Sequence, residues 1–192
     1  LANTLGSGAM TNSIAEVADA DAFFVIGSNT TETHPVIGTK IRKRVREGGA
    51  KLVVADPREI QLAKMADVYL QIKPGTNVAI MNGMMHVILE ENLQDDEFIE
   101  ERTENFEELR EVLKKYTPEY VAEICGVKAE DIVKAARIYA TADKASIFYS
   151  MGVTQHSTGT NGVMSTSNLA MMTGLMGRES CGVNPLRGQN NV

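Results

Sequence analysis

The sequence has little cysteine and no long apolar run, and each shortage excludes a class of protein. Its 192 residues include two cysteines, Cys125 and Cys181, which are too few for a disulfide scaffold and do not form a CxxC pair. It contains no run of about 18 uninterrupted apolar residues and no leader in which basic residues precede apolar ones. We therefore expect a soluble, cytoplasmic protein with no direct membrane insertion.

Signatures of hydrolysis and of nucleic-acid binding are also scarce. The net charge of −6 argues against a nucleic-acid partner, because affinity for nucleic acids comes largely from neutralised phosphates. No Ser/His/Asp arrangement or paired carboxylates suggest hydrolytic chemistry. The isolated histidines His34, His86 and His156 are weak candidates for metal ligands or bases, and we expect no metal ligand here. The GxGxxG fingerprint is absent, which disfavours a nicotinamide cofactor in its usual pose.

What the sequence does contain is an alternation of apolar runs and helical segments. Strands are predicted at 21–26, 51–55, 68–72 and 145–150, and helices at 36–47, 78–90, 96–102, 106–116, 118–125, 129–140 and 161–173. Continuous apolar runs are typical of buried parallel strands, and crossovers between such strands are almost always right-handed. We predict one α/β domain over 1–192, with a doubly wound, mainly parallel, Rossmann-like sheet and a helical insert at about 95–141.

Polar and glycine-containing segments follow each predicted strand, where open α/β sheets bind ligands. They are Gly27-Ser28-Asn29, Asp56-Pro57-Arg58, Pro74-Gly75-Thr76-Asn77 and Met151-Gly152-Val153-Thr154-Gln155. Each also has an ordinary structural interpretation: a simple turn, a local Asp–Arg pair, or a helix N-cap at Thr76 or Asn77. From the residues alone these alternatives remain open.

The segment 182–192 offers one cation, Arg187, and several amides with little apolar material. Pro185 fixes its own φ angle, whereas Gly188 allows the backbone a wide range of conformations. This composition predicts a loop that forms a site rather than core. The alternative is an exposed arginine at the end of an irregular segment.

Taken together, these segments resemble the large subunit of molybdopterin-dependent formate dehydrogenases, within the molybdopterin oxidoreductase superfamily. The resemblance rests on 27–35, 56–58, 74–77, 151–155 and 184–191, in that order and spacing. It implies a fragment of a longer catalytic subunit that binds molybdopterin guanine dinucleotide with molybdenum or tungsten. A 4Fe-4S cluster, the Cys or selenocysteine metal ligand, and iron–sulfur electron-transfer subunits would lie outside this segment.

The resemblance also implies roles for individual residues. Arg187 would orient formate beside the metal while two electrons and a proton leave it as CO2 forms. Cofactor contacts are expected from Gly27, Asn29, Thr33, Asp56, Arg58, Gly75, Asn77, Met151, Gly152, Gln155 and Gln189. Two alternatives are another molybdopterin oxidoreductase of the nitrate reductase type and a non-catalytic relative in an electron-transfer complex.

The sequence departs from the family pattern at a few positions. Asn77 stands where an aspartate is frequent, so it would offer guanine one acceptor atom where a carboxylate offers two. Ile60 and Leu62 stand where hydroxyl residues are usual. The methionines at helical spacing are predicted to be core residues: Met10, Met81, Met84, Met85, Met164, Met171, Met172 and Met176.

Overall fold

A computed structural model describes residues 1–6 and 8–188 of the chain. Its five strands are β1 (Ala22–Ile26), β2 (Lys51–Ala55), β3 (Val68–Leu70), β4 (Ala145–Tyr149) and β5 (Gly182–Pro185). They form one sheet in the order β3-β2-β1-β4-β5, and every neighbouring pair is parallel. The strand order reverses between β1 and β4, which makes their carboxyl ends the switch point of the sheet.

The described helices are α1 (Ala2–Leu5), α2 (Thr30–Thr33), α3 (Pro35–Gly48), α4 (Asn77–Glu90), α5 (Asp96–Arg102), α6 (Phe106–Leu113), α7 (Pro118–Cys125), α8 (Ala129–Ala140), α9 (Met151–Thr154) and α10 (Gly159–Met172). Short 3-10 turns occupy Glu16–Asp19 and Ala63–Met65. None of these helices has the length and apolar character needed to cross a membrane.

The sheet is covered on both faces, which explains why the predicted strands read as continuous apolar runs. In β1, Phe24 and Ile26 face one core cluster with α4, α8 and α10, while Phe23 and Val25 face a second cluster with α3. The rings of Phe23 and Phe148 lie 6.2 Å apart between centroids in that second layer. The predicted α/β fold with a parallel, doubly wound sheet is thus confirmed.

The predicted helical insert corresponds to α5–α8. Side chains cap two of its helices: Asp95 accepts a hydrogen bond from the Phe98 N–H at 2.9 Å, and Thr117 accepts one from the Tyr120 N–H at 3.3 Å. Helix α8 lies against β1, β2 and β3, whereas α6 and α7 contact α4. Within the insert, α8 is therefore the helix that packs on the sheet.

The prediction that 182–192 avoids the core is wrong for its first half. Residues 181–186 are buried, and Gly182–Pro185 pair with β4 as an edge strand. Val183 is fully buried in the larger core cluster. Pro185 is tolerated because the outer side of an edge strand needs no N–H donor. The core prediction is also wrong for Met164, whose side chain is 40% exposed.

Candidate functional site

The loops after β1, β2, β3 and β4 surround a cleft of about 310 Å³ at the carboxyl edge of the sheet. Its lining residues are Gly27, Ser28, Asn29, Thr33, Asp56, Pro57, Arg58, Ile72, Lys73, Pro74, Gly75, Asn77, Ser150, Met151, Gly152 and His156. We call it the first cleft. Because parallel strands end at the same edge, segments far apart in sequence meet here.

A second cleft of about 130 Å³ adjoins the first. It is lined by Tyr149, Ser150, Met151, Thr154, Gln155, Pro185, Leu186, Arg187 and Gly188. Ser150 and Met151 border both clefts, so the start of α9 forms the wall between them. Met151 is 43% exposed, so part of this residue is accessible from solvent.

Two glycines bring the loops after β1 and β4 into direct backbone contact. The Gly152 N–H donates to the Gly27 carbonyl at 3.0 Å. A Cβ atom on Gly27 would lie 2.6 Å from the Gly152 carbonyl carbon, and one on Gly152 would lie 2.6 Å from the Gly27 Cα. Gly27 also has a φ of 57°, which side chains disfavour. Neither position has room for a side chain.

Asn77 is the first residue of α4, and its side chain points across the cleft instead of capping the helix. Its Nδ2 donates to the Gly152 carbonyl at 3.0 Å, and the residue is 5% exposed. Thr76 occupies the N-cap position, but its hydroxyl donates to the Lys73 carbonyl at 2.7 Å. The predicted N-cap position is therefore correct, although no side chain makes a capping hydrogen bond.

Asp56 and Arg58 form the local pair that was the alternative to ligand binding, and both also line the first cleft. The buried Asp56 carboxylate accepts from the Arg58 N–H at 2.9 Å, and its Oδ1 lies 4.0 Å from Arg58 Nε. Burial raises the pKa of Asp56, and the Arg58 N–H and guanidinium charge oppose that rise. The Arg58 side chain is 72% exposed, so its guanidinium is accessible to an anionic ligand.

A relay of hydrogen bonds joins the β1 loop to Arg187. Thr33 Oγ1 lies 3.0 Å from the Asn29 carbonyl and 2.9 Å from His34 Nδ1, and its single proton can be donated to only one of them at a time. His34 Nε2 lies 3.0 Å from the Arg187 carbonyl, which can only accept, so Nε2 must carry a proton. His34 was a weak candidate in the sequence, and it serves as a connector between the two clefts.

Arg187 lies at the end of β5, where the chain leaves the sheet. Leu186 is held on both sides: its N–H donates to the Tyr149 carbonyl at 2.8 Å, and its carbonyl accepts from Ser150 Oγ at 2.7 Å. The exposed Arg187 Nη2 donates to the Gly8 carbonyl at 2.6 Å. Burial raises the pKa of Tyr149, and the positive charge of Arg187 acts in the opposite direction.

The structure brings most of the predicted site residues together. Gly27, Asn29, Thr33, Asp56, Arg58, Gly75, Asn77, Met151 and Gly152 border the first cleft, while Met151, Gln155 and Arg187 border the second. Gln189 lies outside the described residues. Their contacts with a cofactor stay predictions. Sequence reasoning missed Lys73 and Ser150 as cleft residues, although both sit next to motifs that it identified.

Within the described part of the chain, no three His, Cys, Asp or Glu side chains are placed to hold a metal ion together. The two clefts instead offer cations, amides, hydroxyls and backbone groups. The cations and amides of this lining suit the polar and anionic groups of a ligand bound at the switch point of an α/β sheet.

The fold and the clefts thus define an α/β domain with a candidate ligand site at the switch point of a parallel sheet. Residues 2–191 match the sequence model of the molybdopterin oxidoreductases, and the chain belongs to that family.

Curated proteins similar to this chain include several formate dehydrogenase subunits. The chain is 55% identical over its whole length to F420-dependent formate dehydrogenase 1 subunit alpha of Methanococcus maripaludis. It is 57% identical over 97% of its length to the F420-dependent formate dehydrogenase subunit alpha of Methanocaldococcus jannaschii. Identity with formate dehydrogenase H of Escherichia coli is 47% over the whole chain. The chain spans 27% to 28% of the length of these relatives.

Among solved structures, acetylene hydratase from Pelobacter acetylenicus is similar to this chain. The TM-score is 0.81 at 34% sequence identity, covering 90% of this chain and 23% of the hydratase. This similarity shows that the α/β fold of the chain recurs within a longer protein.

Proposed function

We propose that the chain is one domain of a larger formate dehydrogenase catalytic subunit. In this proposal the first cleft holds the guanosine half of a molybdopterin guanine dinucleotide, and the second cleft presents Arg187 to formate. The observation that supports it best is the placement of the predicted cofactor residues around adjoining clefts in a chain 47% to 57% identical to formate dehydrogenases.

The residues of the first cleft fit half of a dinucleotide. Its volume of about 310 Å³ lies at the small end of the usual range for ligand pockets, about 300 to 1,000 Å³. Arg58 and Lys73 supply positive charge for phosphates, while Asp56 and Asn77 supply acceptors for a base or ribose. A Cβ on Gly75 would meet nothing within 4 Å, so the backbone there is open to a ligand.

When bound, the metal–pterin group would supply the two-electron oxidation that converts formate to CO2 and a proton. The contribution of this chain is binding and orientation. The guanidinium of Arg187 has five N–H donors, so its bond to Gly8 leaves donors for a carboxylate. A bidentate contact would fix both oxygens of formate and direct its C–H bond. Gln155, on the same cleft, would add a polar contact at the cofactor.

The proposal also includes a path for the electrons taken from formate and the partner subunits that carry them. A 4Fe-4S cluster and iron–sulfur subunits outside this chain would accept the electrons. We place the protein in the cytoplasm, and its free, buried Cys125 and Cys181 are compatible with a reducing compartment.

One alternative has a specific observation behind it. The similarity to acetylene hydratase means that this fold also occurs in a protein named for a hydration. We favour formate oxidation because identity to the formate dehydrogenases, 47% to 57%, is well above the 34% identity to the hydratase.

The test compares the wild-type protein that contains this chain with Arg187→Ala and Arg187→Lys, after expression with molybdate or tungstate. We expect formate-dependent dye reduction in the wild type, and a loss of about 10²- to 10³-fold in Arg187→Ala at unchanged metal content. Arg187→Lys keeps the positive charge but loses the bidentate geometry of the guanidinium. Its rate of formate-dependent dye reduction should therefore lie between those of the wild type and Arg187→Ala.

The other outcomes separate the alternatives. Bound metal without formate oxidation would indicate another member of the family. A folded protein that binds neither metal nor guanine nucleotide would indicate a structural subunit.

A further inference from the structure

We propose that Asn77 is a positioning residue that fixes the wall between the two clefts. The role does not depend on its facing a ligand. It acts through Gly152, which follows directly on the shared wall residues Ser150 and Met151.

A continuous series of hydrogen bonds crosses the switch point of the sheet. Asn77 Nδ2 donates to the Gly152 carbonyl, the Gly152 N–H donates to the Gly27 carbonyl, and the Gly27 N–H donates to the Ala55 carbonyl, each at 3.0 Å. Helix α4 is thereby tied to the ends of β4, β1 and β2. Only the first bond of the series is made by a side chain.

The orientation of the Asn77 amide follows from this bond. A backbone carbonyl can only accept, so the nitrogen of the amide must face Gly152 and the oxygen must point elsewhere. An aspartate has nearly the same shape but no donor when ionised, and it would place a carboxylate oxygen against the Gly152 carbonyl oxygen. Asn77 and aspartate are therefore not equivalent at this position, whatever ligand the cleft binds.

Helix α9 is tied to the neighbouring loops through Gly152, whose N–H and carbonyl both make hydrogen bonds across the switch point. It is a single turn, Met151–Thr154, and its N-cap residue Ser150 makes no capping hydrogen bond because its hydroxyl donates to the Leu186 carbonyl. The buried Val153 holds the apolar side of the turn. The bond from Asn77 holds the opposite, cleft-facing side, and so sets where Met151 and Gln155 stand relative to Arg187.

The first experiment needs neither cofactor nor formate, so it stands apart from the proposed function. Amide hydrogen exchange of residues 151–155 is measured in the cofactor-free protein for wild type, Asn77→Asp, Asn77→Ala and the control Asn82→Ala. Asn82 lies on the same helix, is similarly buried and borders neither cleft.

We expect exchange to be about two- to tenfold faster in Asn77→Ala, the range for losing one hydrogen bond, and faster still in Asn77→Asp. Asn82→Ala should leave this segment at the wild-type rate. Thermal unfolding identifies variants that fail globally, and an aspartate at the first position of α4 should stabilise the helix rather than weaken it.

The exchange rate of residues 151–155 in Asn77→Asp, compared with the wild type and Asn77→Ala, decides whether the proposal holds. If Asn77 only fills space or only accepts from a guanine base, Asn77→Asp will exchange like wild type, and the proposal is overturned. In the metal-loaded enzyme, the proposal expects Asn77→Asp to raise KM for formate at unchanged cofactor content. An unchanged KM together with reduced cofactor content would indicate a guanine contact alone and would contradict it.

Discussion

Gly27→Ala is the substitution most directly constrained by the structure. The new methyl group would lie 2.6 Å from the Gly152 carbonyl carbon and 2.9 Å from its Cα. Both atoms belong to backbone, so no side chain can rotate to make space. The residue would also keep a φ of 57° or force the turn to rebuild.

Two costs add at this position. A left-handed conformation costs a non-glycine residue about 1 to 2 kcal/mol. Overpacking a tight contact costs about 1 to 3 kcal/mol more. We therefore expect Gly27→Ala to lower the free energy of unfolding by about 2 to 5 kcal/mol.

Gly49→Ala is the matched control, because Gly49 has a φ of 71° and nothing within 4 Å of the added Cβ. Gly49→Ala should therefore lose only the free energy that a left-handed backbone conformation costs a non-glycine residue, about 1 to 2 kcal/mol. The assay is urea unfolding of both variants and the wild type, with the midpoint and slope fitted separately. If both variants lost the same unfolding free energy, the argument would be refuted, because the clash between the Cβ added at position 27 and Gly152 would then contribute nothing.

Three further predictions concern other parts of the molecule. Hydrogen bonds from the Ser180 N–H, and then from Asn12 and Ser13, lower the pKa of Glu16 from its ordinary 4.5 to about 2. The ionised Glu16 should therefore stabilise the folded state above pH 4.5, and this stabilisation should be lost as the pH falls towards 2. Glu16→Gln should abolish that pH dependence of the unfolding free energy in urea titrations. The same pH dependence in Glu16→Gln and wild type would contradict the role given to Glu16. His34→Ala removes the bond to the Arg187 carbonyl, so in the loaded enzyme KM for formate should rise several-fold at constant metal content, and a wild-type KM would count against the relay. Phe148→Ala, in the layer beneath α3, should cost about 3 to 5 kcal/mol of unfolding free energy in the same urea assay, and a loss below 1 kcal/mol would show that this layer can collapse around the cavity.

Much of the fold could be predicted because it depends on local patterns. The runs in β1, β2 and β4 are mainly apolar, and the predicted helices α5, α7 and α8 agree with the structure at both ends. Strand β5 was missed because its four residues include a glycine, an asparagine and a proline. It is a strand because β4 offers an unpaired edge, which no local pattern reveals.

The site was predictable to a similar extent. Motifs at strand ends were identified as places where open α/β sheets bind ligands, and the structure places them around the two clefts. The ordinary interpretations were partly correct as well, since Asp56 and Arg58 do pair. The role of His34 was not predictable, because its partner is the backbone of a distant segment.

The sequence by itself determined the class of fold and the family, because apolar periodicity and the motifs after strands are local properties of the chain. Only the tertiary structure decided that Gly27 touches Gly152, that the amide of Asn77 faces Gly152, and that His34 reaches Arg187. These contacts join segments from different strand ends. Their partners are set by the order of strands in the sheet and by the closure of long loops, which the composition of each segment does not record.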